Sequence, residues 1–413
     1  MYRIFVHILL LLAGLTATGA TLTVCPSGCA FKEIKAAVEA AEAGDTLHIK
    51  SGLYLEGNIL LGKPLTLIGE NQPVIDATNM GEILTITADG VTIEGLTLKN
   101  VGTSYVEDRA GIRIKKARNF RILNNRLENT FFGIYLEHAQ NGTVTGNILT
   151  GNAKEEMSSG NGIHLWYCQH ITVTHNQVSG HRDGIYLEFV DQSAVRENRS
   201  FKNLRYGLHF MFSNDDVYAE NEFAENGAGV AVMYSKKIQM LQNHFRENWG
   251  AASYGLLLKE IYDAEISCNR FFSNTVGIYV EGSARIEYSN NEFLQNGWAM
   301  KIGGGCAQNF ITDNNFTANT FDLAVQTKMS ENDFGRNYWS EYNGYDLNRN
   351  GIGDVPFRPV KLFSFITDRT PEAIVLLRSL FVDLVNFTEK ISPVFTPADV
   401  FDPTPRMKPI IFS

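Results

Sequence analysis

Short alternating stretches of apolar and polar residues recur along most of the chain. A glycine followed by an apolar, a variable and an apolar residue begins with GIRI at Gly111. The same pattern starts at Gly133, Gly162, Gly184, Gly207, Gly229, Gly255, Gly277 and Gly297, in steps of 20–29 residues. A second pattern, Asn-x-apolar-x-x-Asn, follows several copies, as in NEFAEN from Asn221. A repeat of this length is typical of a solenoid, whose units bury their apolar faces only against one another.

The repeat consists of strands and turns. Val, Ile, Tyr and Phe fill the alternating positions, and Asn and Gly mark the corners, whereas a leucine-rich repeat would show a helix-forming half. The pattern predicts an all-β fold, a right-handed parallel β-helix with about three short strands per coil.

One asparagine in each copy is expected to lie at the same corner of the solenoid. Asparagine tolerates the left-handed conformation that we expect there, and its amide can bond to the amide one coil along. The predicted column consists of Asn125, Asn147, Asn176, Asn198, Asn221, Asn243, Asn269 and Asn291.

The predicted organisation has five parts. Residues 1–20, with one early basic residue and an apolar run too short to span a bilayer, read as a secretory signal. Residues 21–45 form an N-terminal cap, with a helix whose apolar spacing ends at Gly44. The β-helix covers residues 46–329, and residues 330–369 form a turn-rich C-terminal cap. Residues 370–413 form a helical tail that starts near Pro371, with Thr370 as its N-cap.

The predicted tail helix is apolar around more than one stripe, including Leu376, Leu377, Leu380, Phe381 and Leu384. Such a helix requires a partner surface. That surface is either another protein or the last coil of the solenoid, and the residues alone do not decide between the two.

The net charge and the cysteines indicate which partners and which redox compartment to expect. Removal of the signal leaves 35 basic and 45 acidic residues, a net charge of −10, which disfavours nucleic acid as a partner. Cys25 and Cys29 are expected to form a local disulfide in an oxidising compartment, and a metal site at this pair is the less favoured alternative. The odd cysteine count leaves at least one free thiol.

Two columns of side chains are expected to face outward from the Gly-apolar-x-apolar strands. The first contains His164 and His209, and the second contains Met211 and Met233. Coils lie roughly 4.8 Å apart, so the two methionines are stacked neighbours on an outer face. Core packing does not explain them, and thioethers beside imidazoles suit Cu(I). The alternatives are a sticky patch for a partner protein and an ordinary stack of Tyr and His rings.

A weaker candidate for a metal site lies near the C-terminus. Asp346, Asn348, Asn350 and Asp354 surround a glycine turn and resemble the first half of a calcium loop. Phe357 stands where the bidentate glutamate of such a loop would be, so an Asx turn without metal is the alternative.

Three stretches resemble the NosD family, the periplasmic β-helix proteins of nitrous oxide reductase maturation. They are GLHFMFSNDDVYAENEFAENGAGVAVMYS, NYWSEYNGYDLNRNGIGDVPFRPV and DRTPEAIVLLRSLFVDLVNF. The resemblance implies a non-enzymatic periplasmic protein that serves assembly of the copper–sulfur centre of nitrous oxide reductase. It implies work with an ABC-type transporter (a membrane subunit and an ATPase of the NosY and NosF type) and with a copper chaperone of the NosL type. It also implies that the helix after Pro371 docks on the membrane subunit, and it favours Cu(I) handling at His209, Met211 and Met233.

Two other functions fit a β-helix. A polysaccharide lyase or epimerase would need stacked carboxylates on one face, and only Asp215 and Asp216 offer a pair. A glycan-binding module would need an aromatic platform, for which Tyr135, Trp166 and Tyr186 are candidates. Fold alone does not choose among these functions.

Overall fold

The protein is described by a computed structural model, covering residues 19–104, 106–326, 331–377, 379–391 and 400–411. Within these residues, three parallel sheets surround one continuous apolar core, and a full coil gives one strand to each sheet. The prediction of an all-β parallel solenoid is confirmed.

The first strands and helix are β1 (Thr21–Val24), α1 (Ile34–Ala40), β2 (Thr46–Ile49), β3 (Leu53–Tyr54), β4 (Ile59–Leu61), β5 (Thr66–Gly69), β6 (Val74–Asp76), β7 (Leu84–Ile86), β8 (Thr92–Glu94), β9 (Thr97–Lys99), β10 (Ala110–Lys115), β11 (Arg121–Leu123), β12 (Arg126–Glu128), β13 (Phe132–Glu137), β14 (Thr143–Thr145) and β15 (Ile148–Thr150). After a 3₁₀ turn at Glu156–Ser158, the strands are β16 (Ile163–Trp166), β17 (Thr172–Thr174), β18 (Gln177–Ser179), β19 (Ile185–Glu188), β20 (Ala194–Arg196), β21 (Arg199–Phe201), β22 (Tyr206–Met211), β23 (Val217–Ala219), β24 (Glu222–Ala224), β25 (Ala228–Met233), β26 (Gln239–Leu241) and β27 (His244–Arg246). The chain continues with β28 (Leu256–Lys259), β29 (Tyr262–Ser267), β30 (Arg270–Phe272), β31 (Val276–Glu281), β32 (Ala284–Ser289), β33 (Glu292–Leu294), β34 (Trp298–Ile302), β35 (Phe310–Thr312), β36 (Asn315–Thr317), β37 (Phe321–Val325), β38 (Asp333–Gly335), β39 (Tyr338–Trp339), α2 (Leu362–Arg369), a 3₁₀ segment (Pro371–Leu376) and α3 (Leu380–Ile391).

The strands alternate among the three sheets. Sheet A contains the 14 strands from β1 to β38, sheet B the 13 strands from β3 to β39, and sheet C the 12 strands from β4 to β37. Alternate residues of each strand point into the core, where like residues meet like. Phe223, Phe245, Phe271, Phe293 and Phe316 stack on one another in successive coils, and Trp339 ends the stack.

An amide ladder runs along one buried corner. Both the backbone N–H and the side-chain Nδ2 of Asn198 donate to Asn221 Oδ1, at 2.9 and 3.0 Å. Asn221 repeats both bonds to Asn243 Oδ1, and its Nδ2 also donates to the carbonyl of Val195. The same pattern joins the predicted column from Asn125 to Asn291 and continues to Asn314 and Asn337. Amide bonding from coil to coil is therefore confirmed.

The expected backbone conformation of this column was wrong by one residue. The left-handed residue precedes each ladder asparagine, as at Asn124, Glu197 and Glu220, with φ between 51° and 56°. The turn is made by this exposed neighbour, and the asparagine itself stays free to direct its side chain inward.

The two ends of the solenoid differ. Helix α1 buries Ile34, Ala37 and Val38 and contacts the terminal strands β1, β2 and β4. Cys25 and Cys29 are disulfide-bonded, whereas Cys168, Cys268 and Cys306 are free thiols. The predicted signal falls outside the described residues, except for its last two positions.

The C-terminal boundaries differ from the prediction. Strands β38 and β39 extend the coils beyond residue 329, because Phe334 and Trp339 continue the apolar core. The segment 400–411 is not helical and returns to the last coil. There the buried carboxylate of Asp402 accepts hydrogen bonds from Asn337 N, Asn337 Nδ2 and Trp339 Nε1.

The helical tail is also arranged differently. Helix α2 was not predicted, and it packs on β37 through an apolar cluster of Phe321, Phe363 and Val382. Pro371 starts a 3₁₀ segment, and Thr370 makes no side-chain capping bond. Of the described helices, none is long and apolar enough to span a membrane.

We predict that Asn221→Ala lowers the free energy of unfolding by about 2–4 kcal/mol, because it leaves two buried donors of Asn198 without an acceptor. Urea denaturation followed by circular dichroism measures the loss. Gln177→Ala, at an exposed strand position, is the control and should change the midpoint little. Equal midpoints for the two variants would show that the ladder does not hold the coils.

Candidate functional site

The parallel register of sheet C brings the predicted methionines together. Met211 lies opposite Met233, and His209 lies opposite Ala231 on the same pair of strands. His209 and Met211 are two residues apart on β22, so their side chains leave the same face. Both methionines are half-buried.

The histidines point away from the core, but they are not exposed as expected. His209 is 6% and His164 9% exposed, because neighbouring side chains cover this column. Phe132 and Tyr135 flank the His164 ring, and the Tyr206 ring lies 4.9 Å from that of His209. Alternation within a strand predicts the direction of a side chain but not how closely its neighbours cover it.

His164 and His209 do not meet. The Tyr186 ring lies between them, with centroid distances of 4.7 Å to His164 and 4.9 Å to His209. One metal ion therefore cannot be bound by both imidazoles in this arrangement. The predicted set of four divides into His209, Met211 and Met233 on one side and His164 on the other.

Two residues missed by the sequence reasoning complete the surroundings of His209. Asp183 is fully buried, and its carboxylate receives Arg205 Nε at 2.9 Å and Nη2 at 2.6 Å. His209 Nδ1 lies 3.8 Å from Asp183 Oδ2, too far for a hydrogen bond but close enough for electrostatic coupling. The sequence feature that could have revealed Asp183 is its position directly before the repeat glycine Gly184.

The buried Asp183 remains ionised. Burial by itself would raise the pKa of its carboxyl, but His209 and Arg205 outweigh this effect and hold the pKa below its usual value. The site therefore contains a fixed anion beside a histidine.

Buried polar atoms without partners concentrate around this column. Across the described residues, 13 buried side-chain N or O atoms have no hydrogen-bond partner. Those in this region are Asn161 Oδ1, His164 Nε2, both ring nitrogens of His181, Arg182 Nε and both ring nitrogens of His209. Such a group in a native protein requires an explanation, and an ion or ordered water is the usual one.

The thioethers are required for any metal site here. No group of three or more His, Cys, Asp or Glu side chains converges as a metal site within the described parts of the chain. His209 with Met211 and Met233 instead offers one nitrogen and two sulfur atoms, a soft donor set that suits Cu(I). Met157, in the loop between β15 and β16, is 95% exposed.

The candidate calcium loop uses its oxygens internally. Asp346 accepts the backbone N–H groups of Asn350 and Gly351, and Asp354 accepts that of Leu347. Asn348 and Asn350 each accept an N–H group two residues along. These bonds are those of the Asx-turn alternative.

The acidic pair Asp215 and Asp216 does not form a paired-carboxylate site. Burial raises the pKa of Asp216 to about 8, and its oxygens accept hydrogen bonds from Ser193 N and Tyr218 Oη. Its carboxyl is directed toward the interior.

An exposed row of rings borders the methionines. We call His138, Tyr167, Phe189, Phe212 and Tyr234 the ring ladder; they flank a groove of about 760 Å³. Neighbouring rings lie 4.5–5.2 Å apart with interplanar angles of 9–16°. Their faces cover one another and mainly their edges meet solvent, so they do not form an open platform for a sugar ring. Tyr135, one of the expected platform residues, is buried.

Helix α3 carries a separate apolar surface. Leu380 is 78% exposed, and Phe381, Leu384 and Phe387 are exposed beside it. Leu377 differs from the prediction because it packs inward on the cluster of Phe321, Phe363 and Val382. One side of the tail packs on the solenoid, and the other side has no cover among the described residues. Docking of that side on another protein stays a prediction.

Comparison with known proteins finds a family match by sequence. The family described as "Periplasmic copper-binding protein (NosD)" matches residues 38–160 and 153–349. Two relatives are named "Probable ABC transporter binding protein NosD". The one from Stutzerimonas stutzeri is 29% identical over 382 residues, covering 87% of this chain and 86% of that protein. The one from Pseudomonas aeruginosa is 29% identical over 387 residues, covering 89% of each.

Solved structures support the fold alone. The family 28 exopolygalacturonase of Yersinia enterocolitica matches with a TM-score of 0.58 and 10% identity, over 75% of this chain and 78% of that one. The DFA-IIIase of Arthrobacter chlorophenolicus without its lid matches with a TM-score of 0.53 and 13% identity, over 75% and 99%. Identities this low carry no statement about substrate.

The buried His164 generates a prediction about acid stability. Burial first, and then the charge of Arg182, lower the pKa of its imidazole from 6.5 to about 3. Below pH 6.5 the imidazole therefore binds a proton in the unfolded chain, whereas in the folded protein it does so only near pH 3. The free energy of unfolding is therefore unaffected by this ring above pH 6.5 and decreases as the pH falls from 6.5 to about 3.

His164 accounts for the uptake of about one proton on unfolding between pH 6 and 4. We expect His164→Phe to lower the slope of the unfolding free energy against pH by about 1.4 kcal/mol per pH unit in this range. Denaturant titrations at several pH values measure the slope. Tyr186→Phe, which keeps the neighbouring ring and has no titration in this interval, is the control. An unchanged slope for His164→Phe would show that this ring does not remain neutral in the folded protein.

Proposed function

Because the chain belongs to the NosD family of periplasmic copper-binding proteins, we propose that it is an accessory protein in assembly of the copper–sulfur centre of nitrous oxide reductase. It holds Cu(I) transiently and passes it on, and it catalyses no reaction of its own. The observation that carries this proposal is the pairing of Met211 with Met233 beside His209.

The chemistry of the three side chains fits a cation that must bind and leave. Thioethers are soft, uncharged ligands that favour Cu(I), and one imidazole nitrogen adds to them. Both ring nitrogens of His209 lack hydrogen-bond partners, which is consistent with a ligand position. The half-buried methionines form the accessible side of this site, and the buried histidine its inner side.

The ring ladder makes the accessible side of the copper site resemble a protein–protein interface. Phe212 and Tyr234 directly follow Met211 and Met233, and exposed Tyr, Phe and Met are enriched at protein interfaces. A copper chaperone of the NosL type as donor and the reductase as recipient are the partners that this surface would meet.

The apolar side of α3 fits a membrane partner. Leu376, Leu380, Phe381 and Leu384 would dock on the membrane subunit of an ABC transporter of the NosY and NosF type, and α2 fixes the helix to the last coil. This arrangement agrees with the names of the two relatives, which refer to an ABC transporter. The protein would then lie on the periplasmic side of the inner membrane through its partners.

We predict that the mature protein binds Cu(I) and that the triple change His209→Ala, Met211→Ala and Met233→Ala weakens binding by more than about 100-fold, beyond the usual effect of losing an outer-shell group. Anaerobic competition with a chromophoric Cu(I) chelator measures both affinities.

The matched control for this titration is Met80→Ala with Met407→Ala, which removes two solvent-accessible methionines from other parts of the surface. This variant should bind like the wild type. Absence of competition by the wild-type protein would exclude Cu(I) holding. Equal losses in the two variants would instead indicate scattered, non-specific thioether binding.

We expect Leu380→Glu, Leu384→Glu and Phe387→Glu together to abolish co-purification with the detergent-solubilised transporter, because three buried charges would oppose an apolar interface. The control changes three exposed leucines elsewhere, Leu55, Leu60 and Leu347, to glutamate. Retention of the complex by the α3 variant would exclude this helix as the docking element.

A further inference from the structure

We infer that Asp183 is a positioning residue that fixes the tautomer of His209, keeping the proton on Nδ1 and leaving Nε2 as the atom that binds metal. This inference rests on the proposed function for the identity of the metal. The assignment of the tautomer itself depends only on the surroundings of His209.

The geometry favours one tautomer. His209 Nδ1 faces Asp183 Oδ2 at 3.8 Å. A proton on Nδ1 is attracted to the carboxylate, whereas an Nδ1 lone pair would face a negatively charged oxygen. Both groups are buried, so water screens neither the attraction nor the repulsion, and the difference is larger than it would be at the surface.

The carboxylate cannot move away from the imidazole easily. Arg205 binds it through two nitrogens, and the backbone N–H of Tyr206 lies 3.4 Å from Asp183 Oδ1. Arg205 also lies over the Tyr206 ring, with its guanidinium carbon 4.9 Å from the ring centroid. The anion is therefore held by Arg205, in the turn before β22, and by Tyr206, the first residue of the strand that carries His209.

The imidazole is held in the same way. The rings of Tyr186 and Tyr206 each lie 4.9 Å from that of His209, one in the neighbouring coil and one on the same strand. Rotation of His209 is limited by these contacts. The orientation of the carboxylate and the orientation of the ring therefore combine to direct a lone pair on Nε2 away from Asp183.

A metal-binding histidine generally donates its other N–H group to a carboxylate, a carbonyl or water, and loss of that partner typically weakens metal binding by about 10–100-fold. At 3.8 Å from Nδ1, Asp183 would act on the imidazole through its charge rather than through a hydrogen bond, and without being a ligand itself. The competing explanation is that Asp183 only neutralises Arg205, in which case its loss would leave the tautomer of His209 unchanged.

The test is long-range ¹⁵N–¹H NMR of histidine-labelled, metal-free protein at pH ~8, above the usual titration range of imidazole. In the wild type we expect His209 to carry its proton on Nδ1. Asp183→Asn should shift the population toward the Nε2–H form. Glu281→Gln removes the same charge from the same face of sheet C, three coils away on β31, and should leave His209 unchanged.

Two results would overturn the inference. The first is a wild-type His209 protonated on Nε2, which needs no variant and so does not depend on whether Asp183→Asn folds. The second is an unchanged Nδ1–H tautomer in folded Asp183→Asn. Resonance assignment uses a His209→Gln spectrum.

Copper titration of the same variants separates the tautomer from the proposed function. We expect Asp183→Asn to weaken Cu(I) binding by about 10–100-fold and Glu281→Gln to leave it within a factor of about two. If the wild type shows the Nδ1–H tautomer but no Cu(I) binding, the proposed function fails while the positioning of His209 stands. If it binds Cu(I) with His209 protonated on Nε2, the positioning role fails and the function stands.

Discussion

The amide ladder is the interaction on which the rest of the molecule depends. Along this corner, the backbone N–H of each ladder asparagine donates to the side-chain oxygen of the asparagine in the next coil rather than to a backbone carbonyl, as between Asn221 and Asn243. Every amide-to-amide bond of the column points toward the next coil, and the last acceptor is the carboxylate of Asp402. The ladder therefore fixes both the spacing and the register of the coils. Because register decides which side chains are opposite one another, it also decides that Met211 meets Met233.

The candidate copper site results from two layers with different origins. The repeat itself supplies His209 and the methionines on the outer face of sheet C. The turns before β19 and β22 supply Asp183 and Arg205, and the start of β22 supplies Tyr206; these residues surround the histidine. A solenoid strand alone presents exposed side chains to water, where an imidazole is hydrated and turns freely. The covering layer makes the dielectric low and the geometry fixed, and these conditions are what a soft, transient metal site needs beyond the right ligands.

The apolar residues of the tail have two roles: some pack on the solenoid, and others face outward. Helix α2 buries Phe363 on β37 and, with Leu377 and Val382, fixes the start of α3 to the solenoid. The remaining apolar residues of α3 face outward. A single amphipathic pattern could not show this division, because the apolar residues cover more than one stripe and both sides look equally suited to burial.

The sequence by itself determined the repeat, the parallel β-helix, the amide column and the stacking of Met211 on Met233, because each follows from a local period and from the rule that like positions stack. It also indicated the family. The period also places Tyr186 between His164 and His209. Only the tertiary structure decided that His209 is buried and that Asp183 lies beside it, because the period of the repeat does not give the packing of side chains from different coils. It also decided that the left-handed residue precedes each ladder asparagine, a position that no single residue type marks in the sequence. The return of Asp402 to Asn337 was also decided by the tertiary structure, since this contact joins residues 65 positions apart.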